Sequence, residues 1–91
     1  MDYRKLYLQL ISDLLAGSLT RENAVKKMAE EVPIDKSYGE DTELLENCEW
    51  ALRHACEPDY FTTDKEFEYY LHCLRGEQKF SAKERDRHIT S

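Results

Sequence analysis

The sequence predicts an all-α fold, a small antiparallel four-helix bundle with a polar C-terminal tail. Three observations carry that prediction. Apolar residues recur at helical spacing in four separate stretches of the 91-residue chain. Capping and helix-stopping residues punctuate those stretches. Val and Ile are too few to build a β core. Hydrophobic residues make up 41% of the chain, enough to order one core and to argue against disorder, while the 35% that are charged suit a solvated surface. Short connections favour antiparallel neighbours. The expected division is a single helical domain over 1–76 and a polar, partly frayed tail over 77–91.

The first helix is read from Tyr3, Leu6, Tyr7, Leu10, Ile11, Leu14 and Leu15, a pattern that Leu8 widens beyond one stripe. A helix apolar over so much of its circumference packs on two sides, so it is expected to be central. Gly17 suits the residue after its end because it tolerates positive φ. Thr20 reads as the next N-cap, with Glu22 at the positive end of the helix dipole. Ala24, Val25, Met28, Ala29 and Val32 then form the apolar side of a second helix that Pro33 stops. Residues 34–40 read as a loop. A third helix starts at Asp41 or Thr42, carries Leu44, Leu45, Cys48, Ala51, Leu52, Ala55 and Cys56 inward, and closes at Pro58. Thr63 and Glu66 have the spacing of a capping box for a fourth helix with Phe67, Tyr70, Leu71 and Leu74 on its core face. Gly76 ends it.

Charge is the most informative feature. The chain carries a net charge of -6, which disfavours direct binding to nucleic-acid phosphates. Residues 1–30 hold five basic and four acidic groups, residues 31–74 three basic and twelve acidic, and residues 75–91 five basic and three acidic. The middle of the chain is therefore strongly acidic and both ends are mildly basic. Some of these acids have structural duties: Asp41, Asp64 and Glu66 suit helix N-termini, and Glu49 is placed to pair with Arg53 one turn later. No apolar run reaches the ~18 residues of a membrane span, and the N-terminus has no signal-peptide core. Cys48, Cys56 and Cys73 are odd in number and lack a C-x-x-C pair, so they are expected to be core thiols in a reducing compartment.

Trp50 points nearly opposite the apolar stripe of the third helix, among Glu43, Glu46, Arg53 and Glu57. Tyr69 is read in the same way on the fourth helix, opposite Phe67, Leu71 and Leu74. Tyr60 and Phe61 fall in the connection between the two. Outward aromatics among acids have the chemistry of a protein-binding hot spot, because Trp and Tyr bury large areas and surrounding charges select a basic partner. The alternative is that the 34–40 loop or the segment around Phe80 covers Trp50.

Catalytic patterns are lacking. His54, Cys56 and Glu57 do not converge on one point of a helix, and acidic surroundings would raise a thiol pKa. His54, His72 and His88 have no metal-ligand spacing, and the chain contains no glycine-rich phosphate loop. No enzymatic activity, catalytic residue, cofactor or metal is expected.

The helix running into Leu14–Thr20 ("LLAGSLT"), the "AVKKM" segment at Ala24–Met28, and the "LLENCEWALRHACEPD" run at Leu44–Asp59 followed by "FTTD" at Phe61–Asp64 together resemble colicin D-type immunity proteins. Related helical immunity proteins accompany toxins of contact-dependent growth inhibition. The resemblance spans roughly residues 3–75, and the basic tail departs from it. It implies an antitoxin of the bacterial cytoplasm that neutralises a cognate toxin's C-terminal nuclease domain, a tRNase, by occupying its basic groove as a nucleic-acid mimic. On that reading the partner is a basic protein domain, neither nucleic acid nor membrane is bound directly, and the chain is a monomer or weak dimer. The toxin-binding residues expected from the acidic segment and the outward aromatics are Glu43, Glu46, Trp50, Glu57, Asp59, Tyr60, Asp64, Glu68 and Tyr69. Two other readings use the same residues: an acidic regulatory adaptor or DNA mimic that inhibits a host or phage factor, and a bundle that oligomerises through the first helix.

Overall fold

The computed structural model describes residues 2–57 and 62–90 and is all-helical across them. Helix α1 spans Tyr3–Ala16, α2 Arg21–Glu31, α3 Thr42–Arg53, α4 Asp64–Leu74 and α5 Ala82–Thr90, with one 3-10 turn at Gly39–Asp41. Side-chain oxygens open three of these helices. Asp2 accepts the Lys5 N–H, Thr20 the Asn23 N–H and Thr63 the Glu66 N–H, each satisfying a donor that the first helical turn leaves without an intrahelical partner. Helix α1 ends at Gly17, whose φ of 81° lets its own N–H and that of Ser18 return to the carbonyls of Leu14 and Asp13.

The core draws on all of the first four helices. Tyr7, Leu10 and Ile11 come from α1, Ala24 and Met28 from α2, Leu44, Leu45, Cys48, Ala51 and Leu52 from α3, and seven residues from α4. Helix α1 packs mainly on α4 and then on α3, α2 packs on α3, and α5 packs on α4. The most enclosed element is α4, which buries seven of its eleven residues, and not α1, which buries three of fourteen. The remaining apolar side chains of α1 are half-buried around the same core. No described helix is long and apolar enough to cross a membrane.

Arginines join the elements. Arg4 donates to the carbonyls of Leu74 and Cys73 and to the Asp41 carboxylate, closing the C-terminal end of α4 against the start of α3. Arg21 donates to the carbonyls of Ala55 and Thr62 and to Asp64, so one guanidinium on α2 holds both sides of the connection between α3 and α4. Its planar fork suits three acceptors in a way an ammonium could not.

Three expectations need correction. Helix α3 stops at Arg53, with the His54 N–H closing on the Trp50 carbonyl, instead of running to Pro58. Ala55 is still buried in the turn that follows, but Cys56 is exposed and is not a core thiol. The expected bundle of four helices gains a fifth, α5, and Phe80 ahead of it packs against the core. The Arg85 N–H returns to the Ser81 carbonyl in the first turn of α5.

Candidate protein-interaction face

Helix α3 is covered along one edge, tied by a single side-chain bond along the other, and open between them. At one edge, segment 32–38 lies against it. The Glu49 carboxylate accepts from Lys36 Nζ, from the Tyr38 hydroxyl at 2.7 Å and from Arg53 Nε at 2.8 Å. Arg53 also donates to the Val32 carbonyl at 3.0 Å, and the Tyr7 and Tyr38 hydroxyls meet at 2.6 Å. Burial works against charge on Glu49, but the three donors outweigh it and hold its pKa below the usual carboxylate value. Burial likewise pushes Tyr7 up to about 12 and raises Tyr38, which faces Tyr7 and the Glu49 carboxylate. At the other edge, the Asn47 side-chain oxygen Oδ1 accepts from Arg85 of α5 at 2.6 Å.

Between these edges stand Glu43, Glu46 and Trp50, all exposed, with His54 and Glu57 in the next turn. Trp50 is 54% exposed, and its ring lies 4.0 Å from that of His54, tilted by 38°. His54 Nδ1 is in turn 3.5 Å from the Glu57 carboxylate. Glu43 and Glu46 form no side-chain ion pair among the described residues. The result is an aromatic plate beside acids whose charge faces water.

The other expected site residues fare differently. Asp64 is exposed at the start of α4, but its carboxylate takes Arg21 at 3.0 Å and so belongs to the clasp between α2 and α4. Glu68 is exposed one turn further along the same helix. Asp59 and Tyr60 lie outside the described residues. Tyr69 is a correction: it is 2% exposed, its hydroxyl accepts the Ser81 N–H at 2.7 Å, and its ring lies 6.1 Å from that of Phe80. The cause is that α4 is packed on two sides. Its inward arc includes Glu66, Tyr69, Tyr70 and Cys73 as well as Phe67, Leu71 and Leu74. Spacings of three and four residues from Glu66 to Tyr69, Tyr70 and Cys73 were available in the sequence as that signal. The segment around Phe80 therefore covers an aromatic residue, and that residue is Tyr69.

Ile34 was missed. It is 90% exposed in the turn after Pro33 and, with Trp50, is one of two large apolar side chains left exposed among the described residues. Its signal was an isolated isoleucine in a polar loop, outside any helical stripe.

A cleft of about 450 Å³ opens between the start of α1, the start of α3 and the segment after α4, lined in part by Arg4, Asp41, Leu44, Cys73 and Phe80. Its arginine is already engaged by three acceptors, and burial pushes the Cys73 thiol up, as it does the fully buried Cys48. No group of three or more His, Cys, Asp or Glu side chains is arranged to hold a metal among the described residues. Compared with known proteins, the chain matches no family model, no curated protein and no solved structure.

Proposed function

We propose that this chain is an inhibitor that binds a basic protein surface through the open face of α3. Its partner is the nuclease domain of a bacterial toxin that cleaves tRNA, so the chain serves as an immunity protein in the cytoplasm. Helices α1–α4 act in this reading as an antiparallel bundle that holds the face rigid. The observation that carries the reading is Trp50, more than half exposed beside His54, with Glu43 and Glu46 on the same face. A tryptophan has more apolar area to bury against a partner than a scattered surface leucine, and Trp is enriched among residues that dominate binding energy. The acids supply the complementary half. A nuclease must present positive charge to its phosphate substrate, and a net charge of -6 on the inhibitor accelerates encounter with such a groove.

The test is capture of the partner on the tagged wild-type chain, with identification by mass spectrometry. Glu43→Lys/Glu46→Lys and Trp50→Ala variants are run beside it. The expected result is a basic C-terminal domain of a large toxin, bound by the wild-type chain, released by salt and lost with either variant. Substituting Trp50 is expected to cost about 2 kcal/mol or more of binding. Asp64 is left unaltered because its loss would open the Arg21 clasp. Capture of a transcription or replication protein, or capture that neither variant weakens, would overturn the reading.

A further inference from the structure

Ile34 and Trp50 lie on opposite sides of one polar seam. The Lys36 ammonium that sits on Glu49 also reaches the Ile34 carbonyl at 3.5 Å, and Arg53 joins Glu49 to the Val32 carbonyl. Glu49 directly precedes Trp50 in α3, and Arg53 follows Trp50 by three residues. The turn bearing Ile34 is thus bound along the edge of the helix that presents Trp50. The segment is held to two helices, because Tyr38, four residues after Ile34, bonds both Glu49 of α3 and Tyr7 of α1. An apolar side chain displayed on a fastened turn loses little further freedom when a partner covers it, which is the energetic advantage of preorganisation.

The charge of the surface as a whole selects the partner. Near Ile34 in the sequence the exposed charges are mixed, Glu30, Glu31 and Asp35 against Lys26 and Lys27, and Lys36 and Arg53 share the one Glu49 carboxylate. Beside Trp50 the exposed charges are Glu43 and Glu46, and the chain carries a net charge of -6. Acid therefore prevails on the α3 face and over the chain. Two such surfaces would repel each other, which disfavours a second copy of this chain and favours a basic occupant.

We infer that the partner-binding surface continues from the open face of α3 across the Glu49 seam to the turn at 33–35, with Ile34 as a second apolar anchor, and that its occupant is a basic protein surface with an apolar recess for each anchor. The inference rests on the reading of α3 as a partner-binding face, and the experiment separates the two. A benzophenone side chain (p-benzoylphenylalanine) is placed at position 34, at position 50, and at exposed Gln9 of α1 as a control, each in the full chain in cells that express it natively. Illumination is expected to join one and the same basic protein to positions 34 and 50 and not to position 9. A cross-link from 50 alone overturns the extension and leaves the α3 reading standing. Cross-links from neither position overturn both. A cross-linked dimer of this chain from position 34 assigns the turn to self-association and overturns the inference. In solution, Ile34→Ala is expected to weaken affinity for the captured protein about tenfold without moving the melting temperature. An affinity unchanged to within about twofold would overturn the second anchor.

Discussion

Replacing Glu49 with alanine is expected to be the most damaging single change at a charged position of α3. The carboxylate accepts from Lys36, Tyr38 and Arg53, whose ammonium and guanidinium side chains are only 8% and 26% exposed. A hydrogen bond to a charged group contributes roughly 1.5–3 kcal/mol, and breaking a buried ion pair from one side costs roughly 3–5 kcal/mol. Simple addition overstates the loss, because Arg53 keeps the Val32 carbonyl, Tyr38 keeps Tyr7, and Lys36 can turn toward water. The expected cost is therefore about 3 kcal/mol, equivalent to roughly 12–24 °C in melting temperature for a domain of this size. Urea and thermal denaturation followed by far-UV circular dichroism measure it. Glu46→Ala is the control: the same residue type on the same helix, exposed and without an ion pair among the described residues, where a change within about 0.5 kcal/mol is expected. Equal stability of the two variants would refute the seam as a fastening for the 32–38 segment.

Three further expectations follow from burial and charge. Tyr69→Ala is expected to cost roughly 3 kcal/mol or more, while Trp50→Ala costs under about 1 kcal/mol; thermal melts that reversed this order would show that the two aromatics had been assigned to the wrong environments. Stability is expected to fall at both extremes of pH. The lowered pKa of Glu49 makes its contribution complete above the ordinary carboxylate value and lost as pH drops through the folded value; the raised pKa values of Tyr7, Tyr38 and Tyr70 make theirs complete below about pH 10 and lost as pH climbs past it. A denaturation midpoint flat from pH 3 to pH 11, which are about one unit outside those limits, would contradict this. Finally, a maleimide is expected to label Cys56 in the native chain and all three thiols after denaturation, with mass spectrometry counting the adducts; rapid native labelling of Cys48 or Cys73 would contradict their burial.

Local rules made most of the helices legible. Thr20 and Thr63 announced two N-caps, Gly17 a C-terminus, and the stripe of α3 was read correctly as far as Leu52. What escaped depends on contacts distant in sequence. Tyr69 looked outward because a helix enclosed on two sides has no single stripe, and its second cover, the segment around Phe80, lies in a stretch with too little apolar content to identify itself as a lid. Glu49 could be paired with Arg53 by spacing alone, but Lys36 and Tyr38 reach it across a loop whose path no periodicity specifies. The same limit applies to Asp64, whose carboxylate reads as a helix-start residue until Arg21 of α2 is seen to hold it. The outward direction of Trp50, by contrast, followed from helical geometry within its own element.

The position of Trp50 also determines what light reports about this molecule. It is the single tryptophan of the chain, and it sits at the water boundary, not in the core. Its emission is therefore expected close in colour to that of a solvated indole, with a small wavelength shift on unfolding. The spectroscopic roles of the aromatics are exchanged. Tyrosine signals from buried Tyr7, Tyr69 and Tyr70 follow the integrity of the core, while indole emission is left to follow events at the surface. A partner that seats Trp50 in an apolar recess is expected to announce itself as a blue shift without a label.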